Sequence, residues 1–403
     1  MKTLFKALCL SALLCAFVPV SAQKAAQTEK AVEVGAEQSS LYLKLLKGKR
    51  VAFVGNHTSV MADGQHVVDY LLSKGVNIVK IFAPEHGFRG EAAAGAKISD
   101  EVDQKTGIPV VSLYGSGKYK PSPEALKDVD VLIYDIQDVG CRFYTYISTL
   151  TYVMEAGAEN GKEVVVFDRP NPNGYYVDGN ILDPAFKSFV GMHPVPIVYG
   201  MTSGEYAKMV NGEGWLKDGV QCDLTVIPCK NYTHATHYDL PVPPSPNLAT
   251  AKSIALYPSL CYFEGTPLSE GRGTPWPFEV FGSPLLPETG FSFVPQPREG
   301  AKSSKHYGVR CNGLDLASSP DLSRVNLGWL VWAYANFPKE QRENFFTPFF
   351  DLLAGGETLR KQIEAGMTDR QIHATWKKGL ERFQTIRSKY LLYEDFDPPT
   401  EGK

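Results

Sequence analysis

Six short stretches of this chain are apolar at consecutive positions, the pattern of strands covered on both faces of a sheet. They span 50–54, 77–82, 109–114, 130–134, 163–167 and 223–227. Helical spacing falls between them. Val67, Val68, Leu71 and Leu72 give 67–74 one apolar face, and Ser122 caps a helix expected over 123–129. Phe143, Ile147, Leu150 and Met154 recur at helical intervals, which predicts a long helix over 142–160 closed by Gly161. A further helix is expected over 203–210.

Strand followed by helix, repeated with right-handed crossovers, predicts an α/β fold: a Rossmann-like, mostly parallel sheet domain over 45–247. The proline-rich run 241–247 marks its end. A smaller α/β C-terminal domain is expected over 248–403, with strands near 291–294 and 306–311 and helices around 325–336 and 356–366. Ile372, Trp376, Leu380, Phe383, Ile386 and Tyr390 mark a last amphipathic helix.

The first residues follow another pattern. Lys2 and Lys6 precede an apolar run from Ala7 to Val20, and Val20, Ser21 and Ala22 form a small-residue cleavage site. Residues 1–22 are therefore expected to be a signal peptide that leaves no stable membrane anchor, and the protein is expected to be exported to the periplasm or secreted. Export leaves Cys141, Cys222, Cys229, Cys261 and Cys311, an odd set without the paired spacing of a zinc site. Cys222 and Cys229 read equally well as a disulfide or as two buried thiols. Removing Lys2 and Lys6 from 41 basic residues leaves 39 against 44 acidic ones, a balance that argues against nucleic acid as a partner.

The strand ends carry the candidate chemistry. Parallel strands bring their carboxyl ends to one rim, where open α/β sheets bind ligands. That rim would gather Asn56 and His57, then Glu85, His86, Arg89 and Glu91, then Asp135 and Asp138, then Asp168, Arg169 and Asn171. Crowded, partly buried carboxyls have separated pKa values, which lets one act as acid and another as base, the division that glycosidic hydrolysis needs. Each acid also has a purely structural reading, as a turn cap or an ion-pair partner. No Gly-x-Gly-x-x-Gly turn follows the first strand and no Gly-x-Ser-x-Gly elbow occurs, so neither a dinucleotide cofactor nor a serine nucleophile is expected. A metal held by His57, His86 and the carboxylates lacks any His-x-x-x-His spacing. Arg89, Arg142, Arg169 and Arg272 suit a carboxylate on the ligand. Phe143, Tyr144, Tyr146, Trp276 and Phe278 offer faces for a sugar ring or for the core.

The stretches Pro84 to Gly90, Asp135 to Tyr146, Asp168 to Pro172 and Glu264 to Thr274 together resemble the bacterial exo-β-N-acetylmuramidases, over about 45–400. Cys141 departs from the pattern, standing where a small residue such as alanine is expected. The resemblance implies a site in a cleft between the two domains, no metal or nucleotide cofactor, and peptidoglycan-derived saccharides or muropeptides as partners. It implies Glu85 or Glu91 as general acid, and places Asp138, Arg142, Tyr144, Asp168, Arg169, Asn171, Glu264, Glu270 and Arg272 around the ligand. Asp168 or Asp138 is then expected as base, nucleophile or acetamido-orienting group, and Arg142, Arg169 or Arg272 as the reader of the lactyl carboxylate. Retaining, inverting and substrate-assisted courses all fit. A muropeptide-binding protein without activity, or a metal-dependent hydrolase, is the alternative.

Overall fold

The computed structural model describes residues 30–84, 87–89, 101–115, 119–298 and 300–396; the expected leader, Glu85, His86 and Glu91 lie outside the described residues. In chain order the elements are α1 (Ser39–Leu46), β1 (Arg50–Gly55), α2 (Val67–Ser73), β2 (Asn77–Ala83), β3 (Glu101–Val102), β4 (Pro109–Ser112) and β5 (Val131–Asp135). There follow α3 (Tyr146–Glu159), β6 (Glu163–Phe167), α4 (Ser203–Gly212), β7 (Leu224–Ile227) and α5 (Ala251–Leu260). The last part holds β8 (Val280–Ser283), β9 (Phe291–Phe293), β10 (Cys311–Asp315), α6 (Gly328–Asn336), α7 (Pro348–Ala354), α8 (Thr358–Glu364) and α9 (Asp369–Arg387).

The main sheet has the order β3-β4-β2-β1-β5-β6-β7. Every pairing in it is parallel except β3 with β4. Strands β8, β10 and β9 form a separate antiparallel sheet. Strand side chains alternate between faces. Val51, Phe53, Val131, Ile133, Val165 and Phe167 therefore enter one core with Tyr42 and Leu46 of α1 and Val67, Val68 and Leu71 of α2. Ala52, Val54, Leu132, Tyr134, Val164 and Val166 enter the other, under α3 and α4. That second core continues without a break into Tyr257, Phe281, Phe350 and Phe383, and the chain from Val32 onward forms one unit.

Several elements differ from expectation. Helix α3 starts at Tyr146, not at residue 142, because the preceding backbone is bonded elsewhere: Cys141 bridges Val198, and the Arg142 amide donates to Ile197 O at 2.8 Å. The helix expected over 123–129 is one 3-10 turn, Glu124–Leu126. The strand expected near 306–311 begins at Cys311, since His306 adopts φ 55° in a turn. Helix α5 was not expected after the prolines; Thr250 and Ser253 cap it reciprocally, and Pro258 lies inside it. Cys222 and Cys229 are buried thiols, so the disulfide does not form. Among the described residues, no helix is long and apolar enough to cross a membrane.

Buried polar groups fix the rim of the sheet. Arg142 is almost wholly enclosed. Its Nη1 donates to Asn180 O and Val195 O, both at 2.7 Å, and its Nη2 to Leu353 O at 3.2 Å and Ala354 O at 2.8 Å. Burial lowers its pKa to about 10, which leaves it charged at neutral pH. Asp168 sits at the N-terminus of α4, where it accepts from Thr202 Oγ1 at 2.6 Å and Gly204 N at 2.8 Å; Tyr393 Oη adds a third bond at 2.6 Å. Asp138 Oδ2 accepts from Gly140 N at 2.7 Å and from the Tyr199 hydroxyl, while its Oδ1 is buried without a hydrogen-bond partner among the described residues. Gly140 holds φ 73°, and a Cβ there would stand 2.0 Å from Asn171 Oδ1.

Two predictions follow from this interior. Arg142→Met strands four carbonyls and should cost about 3 kcal/mol or more in urea unfolding, with Arg142→Lys recovering only part because an ammonium lacks the planar fork. A loss below about 1 kcal/mol would contradict the clamp. Burial raises Asp138 to about 7 and Asp168 to about 6, against the hydrogen bonds each accepts. Both folded values exceed the unfolded one, so the native state retains protons that the unfolded chain releases, and stability should fall as pH rises from about 4 to 7. Asp138→Asn should flatten that slope; an unchanged slope would refute the assignment.

Candidate active site

Beside the carboxyl rim lies a cleft of about 350 Å³. The turn between β5 and α3 supplies Tyr144 and the first residue of α3 is Tyr146; their rings meet edge to face at 4.9 Å. Tyr144 Oη donates to Pro244 O at 2.9 Å, and Asn56 Nδ2 donates to Tyr146 Oη at the same distance. Through these bonds the end of β1 and the proline run fix the cleft floor. His57 Nε2 stands 2.9 Å from Pro243 O and holds that run from the other side.

An aromatic wall rises from Tyr114, just past β4. Tyr119 stacks on Phe189 with ring centres 4.2 Å apart and planes 24° apart, and Tyr114 packs at the edge of both. The opposite wall is polar. Arg272 Nη2 meets Glu264 Oε1 at 2.7 Å, and its Nε meets Glu270 Oε1 at 3.1 Å. The guanidinium lies 5.1 Å from the Phe278 ring centre. Lys305 Nζ stands 3.4 Å from Glu270 and donates to Phe263 O and Leu268 O at 2.7 and 2.9 Å. Flat apolar faces with a few fixed charges suit a sugar that carries its own charge.

The candidates from the sequence thus divide. Tyr144, Glu264 and Arg272 line the cleft. Glu270 stands behind Arg272. Asn56 braces the floor, and Asn171 is buried, its Nδ2 donating to Met201 O at 2.8 Å. Arg169 forms a buried fork with Asp135, Nη2 to Oδ2 at 3.0 Å, and reaches Val60 O at 3.1 Å. Arg89 pairs with Asp103 at 2.8 Å. Arg142, Asp138 and Asp168 are enclosed as described above and are absent from the cleft lining, so the rim acids among the described residues do not meet in this cleft: buried donors engage Asp135 and Asp168 first. Tyr114, Tyr119, Phe189 and Tyr257 were not foreseen in the lining. Tyr114 had a readable signal, because it ends a predicted strand on the ligand-binding rim. A second hollow, of about 310 Å³ near Tyr175, His237 and Lys252, contains none of the candidates. Among the described residues, no three His, Cys, Asp or Glu side chains form a group able to hold a metal.

Comparison with known proteins places these features in a lineage. Residues 51–252 match the family described as "Exo-beta-N-acetylmuramidase NamZ, N-terminal", and residues 255–393 match its C-terminal counterpart. The chain is 41% identical over 373 residues to the peptidoglycan beta-N-acetylmuramidase NamZ of Bacillus subtilis (strain 168), covering 87% of this chain and 89% of that protein. Two crystal structures of DUF1343 family proteins from Bacteroides fragilis NCTC 9343 are similar. One is 48% identical with a TM-score of 0.84, covering 91% of this chain and 100% of its own. The other is 30% identical with a TM-score of 0.75, covering 90% and 99%. With both parts matched in order along nearly its whole described length, this chain belongs to the exo-β-N-acetylmuramidase NamZ family.

Proposed function

We propose that this protein is an exported exo-acting glycosidase that releases N-acetylmuramic acid from the non-reducing end of peptidoglycan fragments. One observation carries the reading: a carboxylate and a guanidinium 2.7 Å apart, set among aromatic faces, in a chain related along most of its length to a peptidoglycan beta-N-acetylmuramidase. The site would accept saccharides or muropeptides.

Hydrolysis of the glycosidic bond needs a proton on the departing oxygen and a water, or an internal nucleophile, at the anomeric carbon. Asp138 and Asp168 are buried and absent from the cleft lining, which disfavours both as the base. Asp135 is paired with Arg169, and Glu264 and Glu270 with Arg272, which leaves Glu85 and Glu91 among the motif acids. Strand β2 ends just before them, between β1, whose loop braces the cleft floor, and β4, which leads into Tyr114 of the aromatic wall. In this reading one glutamate gives the proton and the other assists the attack, and the tyrosine faces hold the ring.

With a chromogenic N-acetylmuraminide, at least one of Glu85→Gln and Glu91→Gln should lower kcat by roughly 10²- to 10⁴-fold. Both variants within about threefold of wild type would remove these acids from the mechanism. Tight sugar binding without release by a folded wild type would make the chain a binding protein. A chelator should leave the rate unchanged, and its loss would point to a metal hydrolase. For export, Edman sequencing of protein recovered outside the cytoplasm should begin at Gln23; full-length protein retained in the cytoplasm would overturn that part.

A further inference from the structure

Of the four rim-loop arginines, three are committed elsewhere: Arg142 to carbonyls, Arg169 to Asp135 and Arg89 to Asp103. Arg272 lines the cleft, with its side chain 24% exposed. Its surroundings are balanced in charge. Arg272 and Lys305 face Glu264 and Glu270, two cations against two carboxylates. An anionic ligand therefore meets no surplus positive charge, and gains one only if a resident carboxylate gives way.

The two glutamates are not equally placed to do so. Glu270 is 5% exposed and bridges Arg272 and Lys305, whereas Glu264 is 25% exposed and reaches Arg272 through one oxygen at 2.7 Å. The guanidinium itself is kept in place by Glu270 at its Nε and by the ring of Phe278 beneath it. Glu264 is thus the exchangeable partner on a fixed fork. Burial disfavours the Arg272 charge, but the two glutamates outweigh that effect and raise its pKa, so the fork remains a cation throughout.

We propose that Glu264 is a placeholder for the substrate's own carboxylate: the lactyl group of a muramic acid residue displaces it from Arg272, while N-acetylglucosamine, which has no anion to offer, cannot. This rests on the muramidase reading and assigns Arg272 and Glu264 as its specificity determinants. Trading one carboxylate for another keeps a charge-assisted hydrogen bond on the Arg272 guanidinium. A sugar without the lactyl group leaves Glu264 in place, occupying the space that group would take.

The test measures dissociation constants of free N-acetylmuramic acid and free N-acetylglucosamine at fixed ionic strength, by calorimetry, with melting temperatures as the check on folding. Glu264→Gln removes the competitor and leaves the cluster with one net positive charge. It should bind N-acetylmuramic acid roughly tenfold tighter, with N-acetylglucosamine unchanged. The double variant Arg272→Met with Glu264→Gln keeps the charge balance without the fork and should lose roughly 10- to 100-fold of the preference for the acidic sugar. Arg272→Lys, the milder change, should fall between wild type and the double variant. Glu264→Gln that binds the acidic sugar no tighter, or Arg272→Lys that keeps the full wild-type preference, overturns the exchange. A wild type that binds N-acetylmuramic acid with these variant effects but cleaves no muraminide refutes the enzyme reading and leaves the exchange standing. Turnover with an unaltered preference in the variants does the reverse.

Discussion

The guanidinium of Arg142 meets four carbonyl oxygens from three separated stretches of chain, and the cleft takes its width from that junction. On one side the next residues along, Phe143 to Tyr146, line the cleft; on the other Leu353, whose carbonyl the guanidinium binds, lines it too. A carbonyl shell suits this task better than a carboxylate. One planar cation supplies donors in several fixed directions, so three segments are located at once, whereas an ion pair would locate two. The arrangement also keeps a positive charge inside the fold, since the surrounding carbonyls are dipoles and not countercharges.

Around that junction the acids of the family motifs have separated into two kinds. Those at the ends of β5 and β6 work inward: Asp135 against Arg169, Asp138 against Tyr199, Asp168 against the first turn of α4. They give the rim its rigidity. Glu264, from the segment after α5, lines the cleft, where water and a ligand can reach it, and the buried Glu270 stands behind the arginine they share. The motifs therefore mix acids enclosed behind the rim with Glu264, which lines the cleft.

Much of the sheet was legible because its strands are apolar runs with sharp polar ends, and each of the six expected strands is present within a few residues. The error at Arg142 has a specific origin. Phe143, Ile147, Leu150 and Met154 do keep a helical interval, but the backbone before Tyr146 is bonded to Ile197 and Val198, a contact more than 50 residues away that no local period reports. Helix α5 was hidden by Pro258 and by the prolines before it. The role of Asp168 was unreadable for the same reason of distance: Thr202 and Tyr393, which satisfy it, lie 34 and 225 positions along the chain. Glu264 and Arg272 were found by their motif, yet their charge balance with Lys305 depends on a loop that carried no signal.

The bond from Tyr393 to Asp168 also joins two distant parts of the chain. Asp168 directly follows β6, and one of its donors is Tyr393, near the end of the described residues, whose hydroxyl also accepts from the amide of Cys229. The rim beside β6 and β7 is thus fastened by a side chain 225 positions further along, so a change at Tyr393 is felt at a carboxylate with which it shares no local sequence.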